Sequence, residues 1–269
     1  MPGSGRMCNG RPKIRMTRTL KRIAELCARQ AECTANGLRF GFLFVRVRWF
    51  KMPRAIRVAG RKLPLHYPQE AGVENDFFAC VIRNEYGLRH RLDEVKTILD
   101  IGANIGFFSV AARGRYPRAK IHAYEPNPRV IEILESNASP LGIEVHAEAV
   151  GMRDGQTSML EVGDSNQART QASEKGEIPQ VSLEKAIERL GGMVDLLKLD
   201  CEGAEWEIFR ATNAWKRIRN VRMEYHLFQG ETVAQVEQTL NGLGFDIVRL
   251  QPATGFGMVW ARARNNGRP

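Results

Sequence analysis

Acidic residues stand where the apolar runs of this chain end. "TILDIGANIG" breaks at Asp100, "HAYEPNP" at Glu125, "EVHAEAV" carries Glu148, "LLKLDCEGAE" brings Asp200, Glu202 and Glu205, and "RMEYH" ends in Glu224 and His226. Short apolar runs of this kind read as buried strands of a parallel sheet. Ligands of such a sheet sit beyond the carboxyl ends of its strands, where the strand order reverses. Carboxylates and one imidazole gathered there can hold a cationic ligand, accept ribose hydroxyls or move a proton.

The first loop narrows the ligand. Gly102 and Gly106 allow positive φ and close backbone approach, and the following helix offers unpaired N–H groups. A dinucleotide site needs G-x-G-x-x-G, but Asn104 stands at the second glycine position, and the G-K-[ST] of a phosphate loop is absent. Asp100 would repel a phosphate and suits an amino-bearing ligand. S-adenosylmethionine has an ammonium and a sulfonium, with a carboxylate for the helix N–H groups. Glu125, nineteen residues after Gly106, is spaced to accept ribose hydroxyls. Asn127 suits a helix cap with Pro128 in the first turn, and ligand contact stays open beside capping. The expected cofactor-binding set is Asp100, Gly102, Ala103, Asn104, Gly106, Glu125, Pro126, Asn127, Glu148 and Asp200.

A donor of this kind gives up a methyl group, a transfer that needs alignment and, where the acceptor is a hydroxyl, benefits from a base. His226, past the fifth strand and with an ordinary pKa near 6.5, is the expected base. Asp200 and Glu224 either orient it or take the proton themselves. Glu202 and Glu205 also suit the positive end of a helix. The acids at 200, 202 and 224 have the chemistry for a metal, but nothing in the sequence requires one and none is expected.

The elements that must position these residues alternate from residue 97 onward. "TILDI", "KIHAYE", "IEVHAEAV", "VDLLKLD" and "VRMEYHL" read as strands, separated by helical "GFFSVAARGRY", "PRVIEILESNAS" and "AEWEIFRAT"; "TVAQVEQTLNGL" is a further helix. "DIVRL" and "GMVWARA" are joined closely enough only for an antiparallel hairpin. The expected fold is α/β: a three-layer, doubly wound, seven-stranded, mostly parallel sheet closed by a C-terminal antiparallel hairpin. It resembles the class I methyltransferase sheet. Residues 151–180 interrupt the alternation, with a hairpin signal at Asp154-Gly155 and then a polar loop of the length of a lid or binding element. Ahead of the alternation, Thr17 to Gln30 reads as a helix, 38–50 as a strand or interfacial segment, 56–66 as a hairpin around Ala59-Gly60, and Phe77 to Tyr86 as a helix capped by Asn75 or Asp76.

The chain has 269 residues and a net charge of +10, enough length for one full core. Residues 1–68 hold sixteen Lys/Arg and two acids, whereas the remainder has a balance of −4. The basic arm suggests an anionic partner: a membrane surface, nucleic acid or acidic glycan. Five irregularly spaced cysteines fit reduced thiols and a cytoplasmic protein better than disulfides or zinc. No apolar run approaches the roughly 20 residues of a spanning helix.

"ILDIGANIGFFS", "AYEPNP", "DLLKLDCEGAEWEIF" and "RMEYH", in this order and spacing, resemble the FkbM family of S-adenosylmethionine-dependent methyltransferases. The resemblance covers residues 56–262 and extends to the lead-in "FFACVIRNEYGL". It implies O-methylation of a sugar, glycolipid or natural product, with Asp100, Gly102, Asn104, Gly106 and Glu125 as donor contacts. The expected organisation is a basic extension (1–55), a methyltransferase domain (56–262) and a disordered tail (263–269). The extension inherits nothing from the family. Its aromatic and basic residues suit peripheral contact with an anionic membrane carrying a glycolipid acceptor. Two rivals are a ribose 2′-O-methyltransferase acting on RNA and a non-catalytic adaptor of the same fold. The N-P-P-[YF] and Pro-Cys signatures of base methylation are missing, and Cys201 follows an aspartate.

Overall fold

The computed structural model describes residues 18–90, 92, 94–160, 169–172 and 176–264. The expected disordered start and the centre of the polar interval lie outside these residues. Helix α1 (Arg18–Arg39) is longer than its sequence signal. A hairpin, β1 (Ala55–Val58) and β2 (Arg61–Pro64), turns at Ala59-Gly60 as expected. Helix α2 (Ala71–Phe77) starts and ends earlier than the expected helix and widens at once into a π turn over Phe78–Ile82. The widened turn buries Phe77, Phe78, Val81 and Ile82 together, and Asp76, rather than capping a helix, accepts a hydrogen bond from the Asn104 amide (3.1 Å).

The alternating region supplies β3 (Thr97–Ile101), α3 (Phe107–Arg115), β4 (Lys120–Tyr124), α4 (Pro128–Ala138) and β5 (Glu144–His146). The run "IEVHAEAV" does not remain one strand. It breaks after His146, and β6 (Ala149–Gly151) joins a second sheet with β7 (Gly155–Leu160), β8 (Arg169–Ala172) and β9 (Ile178–Ser182), in the order β6-β9-β7-β8. Asp154-Gly155 therefore makes a turn but no hairpin, because β9 lies between β6 and β7. Much of the interval expected as loop is this small sheet. Helix α5 (Leu183–Leu190), β10 (Leu196–Leu199), α6 (Glu205–Ile208), α7 (Thr212–Trp215), β11 (Asn220–His226), α8 (Val233–Gly242), β12 (Phe245–Pro252) and β13 (Phe256–Ala263) complete the chain. The expected helix "AEWEIFRAT" is broken into the single turns α6 and α7.

The main sheet runs β12-β13-β11-β10-β3-β4-β5. Five strands are parallel, and β13 lies antiparallel to both β11 and β12. The α/β fold is thus the expected one. The chain leaves β3 toward β5 and later returns through β10 toward β12, so the order reverses between β3 and β10. Their loops flank the ligand crevice of a doubly wound sheet. Two apolar cores cover the two faces. One joins α3, α4 and the segment after α1, and the other joins α5, α7 and α8.

Two expectations for the termini change. Residues 38–50 form no ladder; Phe40 and Phe44 turn into the same core as Ile56 and Val58, so no gap in packing marks residue 55. Ala263 still pairs with Phe245, and Arg264 is bonded to Asp246 and Asn241, so the ordered chain runs past the start of the expected tail.

Candidate active site

A cavity of about 500 Å³ opens at the reversal point, within the size range of small-molecule sites. Its wall includes Gly102, Ala103, Asn104, Glu125, Pro126, Glu148, Asp200, Glu224 and His226. Three expected cofactor residues stand behind that wall. Asp100 is fully buried, Gly106 opens α3 in a left-handed conformation against Leu134, and Asn127 caps α4 by accepting from the Arg129 N–H (3.0 Å).

The glycine loop is shaped by a close approach. At Gly102, φ is +73° and an added Cβ would collide with the carbonyl of Asp200. Only glycine lets the loops after β3 and β10 lie that close. Asn104 also adopts positive φ (48°), which asparagine tolerates better than most residues. Its N–H donates to Glu125 Oε2 (2.7 Å), while Glu125 Oε1 accepts from the Asn127 N–H (2.8 Å). Burial pushes the Glu125 carboxyl up to about 7, against the pull of those two N–H groups. The Asn104 Oδ1 is a buried acceptor without a protein partner, on a residue that lines the cavity. Glu148 lines the cavity but is also held by Arg189 in a two-pronged ion pair.

Lys198, on β10, sits beneath the loop. It donates to the carbonyls of Gly102 and Ile101 and lies 3.4 Å from Asp100 Oδ1 and 3.5 Å from Asp200 Oδ2. Burial disfavours the ammonium, but Asp200 and Asp100 outweigh it and hold its pKa above the ordinary value. Asp100 accepts from the Ser109 hydroxyl (2.6 Å) through its other oxygen; burial still pushes its carboxyl up against the pull of Lys198. Tyr86 donates to Asp200 Oδ2 (2.7 Å) and so fixes that carboxylate's orientation.

Facing the glycine loop, Glu224 and His226 project from one side of β11, two residues apart. His226 Nδ1 is 3.4 Å from Glu205 Oε1, and its Nε2 is 3.5 Å from Glu202 Oε2 and 3.8 Å from Glu224 Oε1. Phe228 stacks on its ring. Glu205 is fully buried and accepts from the N–H groups of Cys201 and Gly203 (2.9 Å each), so it positions the imidazole. Burial works against the His226 charge, but Glu205, Glu202 and Asp200 prevail and raise its pKa to about 9. These carboxylates favour the imidazolium form over the neutral imidazole, relative to the ordinary pKa near 6.5. Burial and Asp200 push the Glu224 carboxyl up to about 8. The donor atoms of Asp200, Glu202 and His226 lie within 4.8 Å of one another, as do those of His122, Glu144 and His146, spacings that suit a cation. In the first trio the imidazolium and neighbouring Lys198 supply positive charge.

Tyr86 was not in the expected site; Lys198 was expected there only for the ribose-methylating alternative, as a lysine–acid site with Asp200 and Glu224, and Glu205 only as a strand-end acid suited to a helix start. Lys198 and Glu205 belong to the same "LLKLDCEGAE" run, so the cluster of charges itself was their signal. Tyr86 arrives from the lead-in turn with no local spacing to announce it. Cys201 also lines the cavity, but burial pushes its thiol well up, which removes the thiolate a nucleophile needs.

A doubly wound sheet with an antiparallel closing strand, a glycine loop at the reversal point and a carboxylate ending the next strand defines a class I methyltransferase. The sequence model for the Methyltransferase FkbM domain matches residues 100–247, more than half of the chain, and the chain belongs to that family. Its cofactor is S-adenosylmethionine. It is 27% identical over 216 residues to methyltransferase sdnD of Sordaria araneosa, covering 62% of this chain and 82% of that one. It is 26% identical over 211 residues to the 31-O-demethyl-FK506 methyltransferase FkbM of Streptomyces tacrolimicus, covering 64% and 79%. Among solved structures, the magnesium protoporphyrin IX methyltransferase of Synechocystis PCC 6803 aligns at 11% identity over 74% of this chain and 87% of that one, with a TM-score of 0.46.

Proposed function

We propose that this methyltransferase transfers the methyl group to a hydroxyl of a sugar, glycolipid or natural product. One observation carries the reading: the cavity has a glycine loop on one side and the Asp200, Glu224 and His226 group on the other. The name of the Streptomyces relative, a 31-O-demethyl substrate methyltransferase, supports oxygen as the acceptor atom. When bound, S-adenosylmethionine supplies an electrophilic methyl group on a sulfonium.

The chain's residues divide the remaining work. Gly102, Ala103 and Asn104 admit the donor against bare backbone, with the unpartnered Asn104 Oδ1 available to an ammonium. Glu125 accepts ribose hydroxyls, and Pro126 and Glu148 border the same space. Asp100, Gly106 and Asn127 act on donor binding from behind, by holding the loop and the start of α4. On the acceptor side Asp200, fixed by Tyr86, orients the hydroxyl. Its proton passes to the Glu224–His226 pair, which titrates as a unit. Alignment is the larger contribution for a reaction with a good leaving group.

Because the pair holds a proton at pH 7, its base form appears only as pH rises through about 8 to 9. Methyl transfer from labelled donor to hydroxylated glycolipids and natural products is expected to rise across that window and then level. His226→Ala is expected to lower the rate by roughly 10²–10⁴-fold and flatten the profile, with donor affinity by calorimetry unchanged. A near-native rate with a native pH profile removes His226 from the mechanism.

A further inference from the structure

The outer surface of the N-terminal segment is unlike the rest of the molecule. Among the described residues, eight of the twelve exposed large apolar side chains fall between residues 20 and 49. From residue 20 to 32 every residue of α1 is exposed; the body reaches this stretch at its end, where Arg89 pairs with Glu32 (3.9 Å). Ile23 and Cys27 share one face of the helix with Ala24 and Ala31, and Lys21, Arg22 and Arg29 lie away from it. The segment after α1 splits by direction. Phe40 and Phe44 point in, whereas Leu43, Val45, Val47 and Trp49 point out.

Helix and segment form one surface, because Thr34 Oγ1 donates to the Phe44 carbonyl (2.8 Å) and the Gln30 amide donates to that of Val45. Residues 18–54 hold nine Lys/Arg against Glu25 and Glu32. Arg46 and Arg48 stand exposed between the outward apolar residues, and Arg46 lies over the Trp49 ring.

The occupant follows from this mixture. A second copy would bring nine cations against nine cations. A polyanion such as RNA would satisfy the charge and leave Ile23, Leu26, Leu43, Val45, Val47 and Trp49 in water. An anionic bilayer satisfies both, with apolar side chains at the headgroup boundary and Lys/Arg among the lipid phosphates. We infer that α1 and residues 38–51 dock the enzyme onto an anionic membrane surface.

Docking bears on the reaction. Phe50 stacks on Phe77 and meets Phe78 at a tilt, as Phe42 meets Phe77, while the α2 region beneath supplies Asp76, Ala79 and Cys80 to the cavity wall. One wall of the active site is thus the floor of the docking surface. Resting on the hydroxyl-methylation reading, this assigns the acceptor to membrane-embedded amphiphiles with hydroxylated headgroups.

Sedimentation of the full chain with phosphatidylcholine vesicles, with and without phosphatidylglycerol, tests the inference. Binding is expected only with the anionic lipid and is expected to weaken between 0.1 and 0.5 M salt. The triple variant Ile23→Glu, Val47→Glu, Trp49→Glu and the triple variant Arg22→Glu, Arg46→Glu, Arg48→Glu are each expected to bind at least 10-fold more weakly while keeping native donor affinity. No vesicle binding, equal binding to neutral vesicles, or binding unmoved by both variants overturns the docking. So does a dimer in light scattering that the apolar variant dissolves. Donor affinity is read in the same samples: its absence in the parent chain sinks the methyltransferase reading, whereas its presence without vesicle binding sinks only the docking.

Discussion

The two sides of the cavity are built from different materials. The side proposed for the donor is mostly backbone: Gly102, Ala103 and Asn104 form its surface, and Glu125 is held by two N–H groups. The side proposed for the acceptor is charge, with Asp200, Glu202, Glu205 and Glu224 set around one imidazole and a buried ammonium. A donor shared across a family can be met by fixed backbone shape. Proton transfer needs groups whose charge can change, so that side depends on balance rather than on fit. Steric substitutions should therefore damage the first side, and charge deletions the second.

The largest expected effect is steric. Gly102→Val would drive a branched side chain into the Asp200 carbonyl at a residue with φ of +73°, where β-branched residues are outliers. The two loops must part, so loss of donor binding and a large drop in thermal stability are expected, by calorimetry and by melting. A Gly102→Val variant that binds donor with native affinity would mean that the loops are not closely apposed, and the contrast would lose its donor half.

Next comes Lys198, which joins the two sides. Lys198→Met leaves the buried Asp100 facing Asp200 with no compensating cation. Breaking a buried pair in this way costs about 3–5 kcal/mol, to be read from urea unfolding. Adding Asp100→Asn should restore part of the loss, because it removes the stranded charge. If the double variant is no more stable than Lys198→Met, the ammonium's bonds to the Gly102 and Ile101 carbonyls matter more than its charge.

The same contrast explains what was legible in the sequence. Backbone-built features follow from local rules, so "TILDIGANIG" announces its strand, its turn and the following helix, and the alternation of elements announces a doubly wound sheet, though not which strands flank its reversal point. The charge balance is a property of many elements at once. Tyr86, from a turn over a hundred residues before Asp200, helps hold that carboxylate, and no spacing records the contact. His226 is visible as a histidine past a strand, but its protonation depends on Glu205 and Glu202 arriving from another loop. The small sheet was hidden for a different reason: "IEVHAEAV" reads as one strand, and nothing in its alternation marks His146 as the point where it changes sheets. Residues 38–50 read as a strand or an interfacial segment, and only the strand reading fails: their alternation is real but sorts core from outer surface, with no partner strand among the described residues.

The smallest expected effect decides a role the sequence left open. Asn127 reads first as a helix cap, with ligand contact left open beside capping. Its Oδ1 accepts from the Arg129 N–H, and it stands outside the cavity wall. Asn127→Ala should then cost about 1 kcal/mol of stability, the usual value of an N-cap, and Asn127→Asp should restore most of it because aspartate caps equally well. Donor affinity should change by no more than the loosening of α4 transmits, about 2-fold or less on that scale. A 10-fold loss of affinity in Asn127→Asp, with stability intact, would mean that the amide Nδ2, buried without a partner, serves the donor directly. Side-chain chemistry would then contribute to the donor side as well, and the division between shape and charge would be less sharp.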